Sequence, residues 1–139
     1  MKQDEDLSKY MMIIENCKEQ LNSLDMQYSY LQAAIADYTK ARITIEHMNK
    51  NNEGSDILIP IGGSTYINAT LKDTSKVLYD IGAGIVTEKK SEEAIKKIDE
   101  RIENLQKTQE RLTTMAQQIQ MEASEASNKA QQLLAEGKK

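Results

Sequence analysis

The chain has 139 residues, a net charge of −4, no Phe or Trp, one His and one Cys. A mildly acidic chain without a lysine- or arginine-rich stripe has no electrostatic footprint for nucleic acid, and no apolar run approaches the length of a membrane span. A single Cys excludes an intramolecular disulfide. The composition predicts a cytoplasmic protein with one domain, residues 1–139, and with neither nucleic acid nor membrane as a partner.

Residues 4–53 are predicted to form a first coiled-coil helix. Their apolar residues recur at alternating steps of three and four, which is the a/d pattern of a coiled coil. Asp4, Glu5 and Asp6 suit the start of a helix, where carboxylates complement the dipole. The ladder consists of Leu7, Tyr10, Ile14, Cys17, Leu21, Leu24, Tyr28, Leu31, Ile35 and Tyr38, followed by Arg42, Ile45 and Asn49.

Residues 54–90 change to β-branched residues separated by turn signals. Gly-Gly-Ser at 62–64 and Gly-Ala-Gly at 82–84 each lie between two short apolar stretches. This pattern predicts two β-hairpins. Pro60 removes one donor from its ladder, so its strand is expected at a sheet edge or a bulge.

Residues 91–136 are predicted to form a second coiled-coil helix, with Ser91 as its cap and Glu92 and Glu93 in its first turn. If the chain folds so that the residue numbers of facing positions sum to 140, each a position of one helix lies opposite a d position of the other. A shift by a full heptad keeps this match, but the equal lengths of the two arms favour the sum of 140. The alternative is that each helix pairs with a helix of another chain. We favour pairing within one chain, because the insert is short enough to bring the second helix back along the first. The second ladder consists of Ile95, Ile98, Ile102, Leu105, Gln109, Leu112, Ala116, Ile119, Ala123, Ala126, Ala130 and Leu133.

The elements together predict an α+β fold, a long antiparallel coiled-coil hairpin with two β-hairpins inserted between its helices. Four short strands cannot enclose a core of their own. Either the hairpins fold onto the helix base near Ile43, Ile45 and Met48, or strands from several chains join in an intersubunit β-barrel. We favour the barrel, because the helices at the base already pack on each other. The strand residues assigned to assembly are Ile57, Ile59, Ile61, Ile67, Leu71, Val77, Ile81 and Ile85.

A second group of apolar residues lies outside the ladders, in the halves of the helices away from the insert. Exposed apolar surface often marks an interaction site, and methionine adapts to varied partners. The alternative is packing against another helix, or no binding role. The candidate binding residues are Met11, Met12, Ile13, Met115, Met121 and Leu134, and Met26 and Tyr30 also point outward.

No group of residues in the sequence suggests catalysis. His47 has no second histidine with which to share a metal site, and Cys17 at a d position is interpreted as a core thiol. The glycine turns are followed by strands, unlike nucleotide-binding loops. Arg42, Asn49 and Gln109 interrupt the ladders and are interpreted as residues that set the register. We therefore predict no enzyme activity, no catalytic residues, no cofactor and no metal.

Three motifs of the insert resemble a known family. They are Ile-Leu-Ile-Pro-Ile-Gly-Gly at 57–63, Ala-Thr-Leu-Lys-Asp-Thr at 69–74 and Asp-Ile-Gly-Ala-Gly at 80–84. These motifs, and the order of helix, two hairpins and helix across essentially the full chain, are similar to the α-type subunit of archaeal prefoldin. The β-type subunits of that family carry one hairpin.

The resemblance implies a hexamer of two α-type and four β-type prefoldin subunits, with strands in a central double barrel. It also implies an ATP-independent chaperone, a holdase, that captures non-native polypeptides at the coiled-coil tips and delivers them to a group II chaperonin. The candidate binding residues would then contact these clients. The main alternative is a structural coiled-coil adaptor or scaffold that binds one specific folded partner.

Overall fold

A computed structural model describes residues 2–137 of the chain. Two long helices are separated by two antiparallel β-hairpins, which confirms the predicted α+β fold. The prediction of one domain over residues 1–139 includes residues 1, 138 and 139, which lie outside the described residues. The elements are α1 (Lys2–His47), a 3₁₀ turn (Lys50–Asn52), β1 (Asp56–Gly62), β2 (Thr65–Thr70), β3 (Lys76–Gly82), β4 (Ile85–Lys90) and α2 (Ser91–Gly137).

The described residues fall into two compact units. Residues 2–34 and 105–137 form one, called here the terminal unit, and residues 35–104 form the other, called here the insert unit. The terminal unit contains helical residues throughout, whereas the insert unit contains both hairpins together with the helical segments next to them.

Helix α1 ends at His47, before the predicted boundary at residue 53. Asn49 leaves the helical conformation, with φ −146° and ψ 175°. Its Oδ1 accepts a hydrogen bond from the Asn51 amide at 2.9 Å, while Asn52 Oδ1 accepts one from the Asn49 amide at 3.1 Å. This reciprocal cap starts the 3₁₀ turn. Asn49 is therefore a capping residue, and its prediction as a ladder residue was wrong.

In the terminal unit, the predicted ladders form the contact between the helices. Gln109 Nε2 donates to Gln32 Oε1 at 2.7 Å, and Lys129 Nζ lies 5.9 Å from the centre of the Tyr10 ring. In both pairs the two residue numbers add up to within one of 140, which agrees with the predicted register of the two helices. The buried residues here are Cys17, Leu24, Leu105, Gln109, Leu112, Ala126 and Ala130.

In the insert unit, the helical segments pack around Ile98 and Ala94, both buried. Arg42 at the predicted polar ladder position donates from Nε and Nη2 to the two carboxylate oxygens of Asp99, and from Nη1 to Glu46. A guanidinium that binds one carboxylate through two nitrogens has a fixed orientation. Arg42 thus links α1 to α2, at positions that again add up close to 140.

The two hairpins repeat each other, with equivalent residues 20 positions apart. The register shifts between Pro60 and Gly62 in the first hairpin and between Asp80 and Gly82 in the second. The residues after each bulge, at 63–64 and 83–84, have positive φ values of 53° to 75°. Positive φ at two successive residues is the geometry of a type I′ turn, whose twist matches that of the flanking strands. The bulge at Pro60 agrees with its predicted effect.

Candidate functional site

The strands of the insert unit present their apolar side chains to solvent. Every residue of β1 is exposed. Ile59 and Ile67 lie directly opposite each other in the first hairpin and are 41% and 48% exposed. The helical segments of the same unit therefore do not cover them, which argues against the hairpins folding onto the base. Six residues assigned to assembly are exposed, Ile57, Ile59, Ile61, Ile67, Ile81 and Ile85, and two are half-buried, Leu71 and Val77.

Both faces of the first hairpin are apolar. In the pairing of β1 with β2, Ile57 lies opposite Ala69 on one face, and Leu58 lies opposite Asn68 on the other. Leu58 and Tyr66, on the second face, are exposed. A two-stranded sheet with two exposed apolar faces is marginal in water on its own. Assembly with strands of other chains therefore stays the prediction for this surface.

Thr74, in the loop between the hairpins, is bonded to Glu53 after the 3₁₀ turn and to the first residue of α2. It is buried, and its Oγ1 and amide donate to Glu53 Oε1 at 3.1 and 3.4 Å. Its carbonyl oxygen accepts a hydrogen bond from Ser91 Oγ at 2.9 Å. Ser91 is the first residue of α2 and bonds this loop, so its hydroxyl has a different role from the predicted cap. The burial of Thr74 was missed, because its segment has only the polar composition of a turn.

Asp73 orders the next residue of the same loop. Its Oδ1 accepts hydrogen bonds from Ser75 Oγ at 2.6 Å and from the Ser75 amide at 2.8 Å. These two bonds, the hydroxyl bond first, hold the pKa of Asp73 below the ordinary aspartate value, and nearby Lys76 adds to the effect. The ionised carboxylate therefore contributes to the turn between β2 and β3.

The terminal unit carries the second exposed apolar surface. Met12 and Met121 are 67% and 72% exposed, and Met12 lies beside Ile13 in a shallow depression of α1. Ile13 is half-buried, less exposed than its outward position predicted. The other predicted binding residues, Met11, Met115 and Leu134, are exposed, as are Met26 and Tyr30. We name the set Met11, Met12, Met26, Tyr30, Met115, Met121 and Leu134 the methionine surface.

Cys17 and His47 both lie in surroundings typical of residues with a structural role. Burial raises the pKa of the Cys17 thiol, and the negative charge of Glu122 raises it further, so the reactive thiolate is disfavoured. His47 Nδ1 lies 2.8 Å from the Ile43 carbonyl oxygen, within the last turn of α1. Within residues 2–137, no three His, Cys, Asp or Glu side chains are grouped as a metal site would require.

None of the described helices combines the length and apolarity needed to cross a bilayer.

Comparisons with known proteins agree with this architecture. A family model described as "Prefoldin subunit" matches residues 17–136. "Prefoldin subunit alpha" of Methanococcoides burtonii is 33% identical over 102 residues, which cover 73% of this chain and 74% of that protein. "Prefoldin subunit alpha" of Archaeoglobus fulgidus is 27% identical over 88% of this chain and 90% of its own length. "Prefoldin subunit 5" of Homo sapiens is 33% identical, with 84% and 82% covered.

A solved structure shares the fold. The cryo-EM structure of filamentous PFD from Methanocaldococcus jannaschii superposes with a TM-score of 0.60 at 24% identity, and covers 90% of this chain and 98% of that one. Prefoldin is a chaperone family, so the matches support a role as a chaperone subunit that assembles with other prefoldin subunits. With its two hairpins and its similarity to archaeal alpha subunits, this chain belongs to the prefoldin family, as an α-type subunit of the archaeal kind.

Proposed function

We propose that this chain is part of an ATP-independent holdase that captures non-native polypeptides at the methionine surface of its terminal unit. Two copies would combine with four β-type subunits through the strands of the insert unit, and the complex would deliver its clients to a group II chaperonin. The single observation that carries the proposal is the methionine surface itself, because these side chains remain exposed on helices whose ladders are already packed.

The chemistry of the methionine surface suits partners without a defined fold. Methionine is unbranched and polarisable, so it can adjust to apolar segments of different shapes. Five of its seven residues are exposed to at least 59%, and their contact area becomes covered when a client binds. A surface that serves one folded partner is expected instead to have fixed anchors in a shape-complementary pocket. The depression next to Met12 is shallow and open, and does not enclose a shape-complementary pocket.

The test is the suppression of aggregation in an assembled complex with β-type subunits. We expect the variant Met11→Ser, Met12→Ser and Met121→Ser to assemble normally, because none of these residues belongs to a ladder. Its suppression of light scattering should fall for at least three unrelated denatured proteins, since the serine side chains remove the apolar contact area. Adding ATP should change neither the wild-type nor the variant result.

The matched control is Ile43→Ser, which removes an exposed apolar side chain from α1 within the insert unit. The control complex should suppress aggregation like the wild type. Unchanged suppression by the triple-serine complex would contradict the proposed site. If the wild-type complex fails to suppress aggregation of unrelated proteins but retains one folded partner in a pull-down, the chain acts as an adaptor and the holdase proposal is wrong.

Delivery is tested in a second step. A fluorescent denatured client bound to the wild-type complex should move to a group II chaperonin, as detected by co-migration in size exclusion. The transfer should be faster than that of the client released into buffer. A client that remains with the complex in the presence of excess chaperonin would contradict delivery while leaving client capture intact.

A further inference from the structure

An open groove runs along one side of the terminal unit, between α1 and α2. It consists of two depressions that share Tyr28, Thr113 and Gln117. Tyr28 is the ladder residue of this unit that stays exposed, at 40%, whereas Leu112, which lines the same groove, is buried. The ring of Tyr28 is therefore accessible from the groove. We call it the amide groove, and its hydrogen-bonding side chains are Asn22, Tyr28, Gln106, Thr113, Gln117 and Gln120.

The amide groove carries little charge. Residues 26–34 of α1 and 112–121 of α2 contain no Asp, Glu, Lys, Arg or His, in a chain in which 29% of residues are charged. The charged residues that line the groove are Asp25 and Glu110. By contrast, residues 96–101 of α2 are all charged except Ile98, as is common for a helix face that meets only water. The largely uncharged lining favours a ligand that is itself uncharged.

Side-chain amides supply most of the polar groups in the groove. Gln106, Gln117 and Gln120 are exposed, and each amide both donates and accepts hydrogen bonds. Thr113 Oγ1 donates to the Gln109 carbonyl oxygen at 3.0 Å, so towards a ligand this hydroxyl acts as an acceptor. The groove thus offers donors and acceptors along its whole length.

A polypeptide main chain has the matching chemistry. It presents an uncharged N–H donor and an uncharged C=O acceptor at nearly every residue, and an amide side chain can bind either group whatever the neighbouring side chains are. Gln106 and Gln120 lie about 21 Å apart along α2 at 1.5 Å per residue. This length accommodates about six residues of an extended chain.

The amide groove leads into the methionine surface. Gln117 and Gln120 also line the next depression of α2, together with Met121, which is 72% exposed. A segment in the groove therefore brings its following residues to an adaptable apolar side chain. One segment can thus make main-chain contacts in the groove and side-chain contacts at the methionine surface.

We propose that the amide groove binds the main chain of an extended, non-native polypeptide segment, through hydrogen bonds that do not depend on the sequence of the segment. This inference rests on the proposed capture of clients and adds a second kind of contact to that of the methionine surface. The main-chain bonds give affinity to every extended client, and its apolar side chains add to that affinity at the methionine surface.

The first experiment uses the complex with β-type subunits and two fluorescent peptides. One is a twelve-residue peptide with the repeat Leu-Thr-Ala. In the other, lactate replaces each alanine, so that esters replace four main-chain N–H donors while every side chain stays the same. We expect the complex to bind the amide peptide about tenfold more tightly in fluorescence anisotropy, because each hydrogen bond contributes roughly a few-fold in affinity. Equal binding of the two peptides, or no measurable binding of the amide peptide, would overturn the proposal.

A triple variant locates this contact on the chain. Methionine resembles glutamine in length and helix propensity, so the complex with Gln106→Met, Gln117→Met and Gln120→Met should assemble at an unchanged mass. We expect it to bind the amide peptide about tenfold more weakly than the wild type and to bind both peptides equally. Since methionine adds apolar surface, unchanged or stronger binding would indicate apolar contact alone and contradict the proposal. The matched control, which should behave like the wild type, changes three exposed glutamines of α2 outside the groove, Gln118→Met, Gln131→Met and Gln132→Met.

A photoreactive group tests which molecule occupies the groove. In a Cys17→Ser background, Thr113→Cys carries a benzophenone maleimide in the assembled complex. Gln118→Cys, at an exposed position of the same helix outside the groove, is the matched control. Irradiation with a fluorescent denatured client should cross-link the client at residue 113 and much less at residue 118. Cross-links from residue 113 to another subunit alone would identify the groove as a contact between subunits, and the proposal would be wrong.

The two proposals fail separately. If the complex suppresses aggregation of denatured proteins but binds the amide and ester peptides equally, only the role of the amide groove is wrong. If the complex distinguishes the two peptides through the groove but suppresses no aggregation, the holdase proposal is wrong and the groove remains a site for extended main chains.

Discussion

The insert unit and the terminal unit use the same two helices but are stabilised by different interactions. In the insert unit, Arg42 binds both oxygens of Asp99, and Thr74 joins Glu53 to Ser91 through hydrogen bonds. In the terminal unit, the buried ladder includes Ala126 and Ala130, whose small side chains bury little area in each layer. Bonds to charged side chains thus add to the apolar packing around Ile98 and Ala94 in the region that carries the strands. The region that carries the methionine surface is held mainly by ladder packing, with bonds between neutral groups such as Gln109 to Gln32.

This difference corresponds to the two proposed tasks. Strand pairing between chains requires edges held at a fixed position, since a shift of one residue moves every side chain to the opposite face. Contact with varied apolar segments does not require such a fixed geometry. We therefore expect substitutions in the insert unit to affect assembly, and substitutions in the terminal unit to affect client capture without changing the mass of the complex.

The largest expected effect follows from a charge in the strands. Ile81→Asp places a carboxylate where we expect packing between subunits, and burial without a partner group is costly. Native mass spectrometry with β-type subunits should show loss of the complex, while circular dichroism should show that most helical content remains. Ser64→Asp is the control, because this exposed turn residue already has a positive φ of 58°, which aspartate tolerates. An intact Ile81→Asp complex would contradict the assignment of this surface to assembly.

Removing part of the terminal unit should have the next largest effect. Truncation before Leu21 and after Ile119 deletes Met11, Met12 and Met121 but leaves both hairpins in place. The complex should assemble at its correspondingly reduced mass and lose most of its suppression of aggregation, since much of the exposed apolar area is gone. Light scattering with several denatured proteins measures this loss. Full suppression by a truncated, assembled complex would place the client site outside the deleted segments.

The sequence predicted the helices and hairpins well because their signals are repetitive. The a/d pattern extends over many turns, and the ladder residues of both units are largely buried or half-buried. Two β-branched stretches around a glycine turn likewise define a hairpin independently of the rest of the fold. Tyr28 is the ladder residue of the terminal unit that stays exposed, at 40%.

The errors of prediction occur where local or tertiary interactions override these patterns. Asn49 continued the a/d spacing, but its side chain caps the 3₁₀ turn instead. Thr74 and Ala94 are among the most buried residues, yet neither a threonine in a polar turn nor a single alanine carries a hydrophobic signal. Thr74 is buried where its loop bonds Glu53 and Ser91, contacts that the local sequence does not encode. Ile13 is half-buried, because a position next to the ladder is partly covered.

A smaller, local effect is expected from Thr74→Val. The substitution keeps the shape of the side chain but removes the hydroxyl that donates to Glu53 Oε1 at 3.1 Å. Loss of this partly buried hydrogen bond should reduce the free energy of unfolding by about 1–2 kcal/mol, as measured by urea denaturation. Thr70→Val, at an exposed position of β2, is the matched control and should have a much smaller effect. Equal effects of the two substitutions would show that the bond to Glu53 contributes little.

The smallest expected effect concerns pH and the loop that joins the hairpins. The hydrogen bonds from Ser75 hold the pKa of Asp73 below its ordinary value, which for an unperturbed aspartate is about 4. A carboxylate whose pKa is lower in the folded chain stabilises the fold above the unfolded pKa, and this contribution disappears as pH falls through the folded pKa. Asp73→Asn should therefore be slightly less stable than the wild type at pH 7, and the difference should shrink below about pH 4. Urea denaturation at several pH values measures it, with Asp37→Asn as the control for a change in surface charge. A stability difference for Asp73→Asn that stays constant from neutral to acidic pH would mean that the charge of Asp73 does not stabilise this turn, and that neutral hydrogen bonds alone hold Ser75 in place.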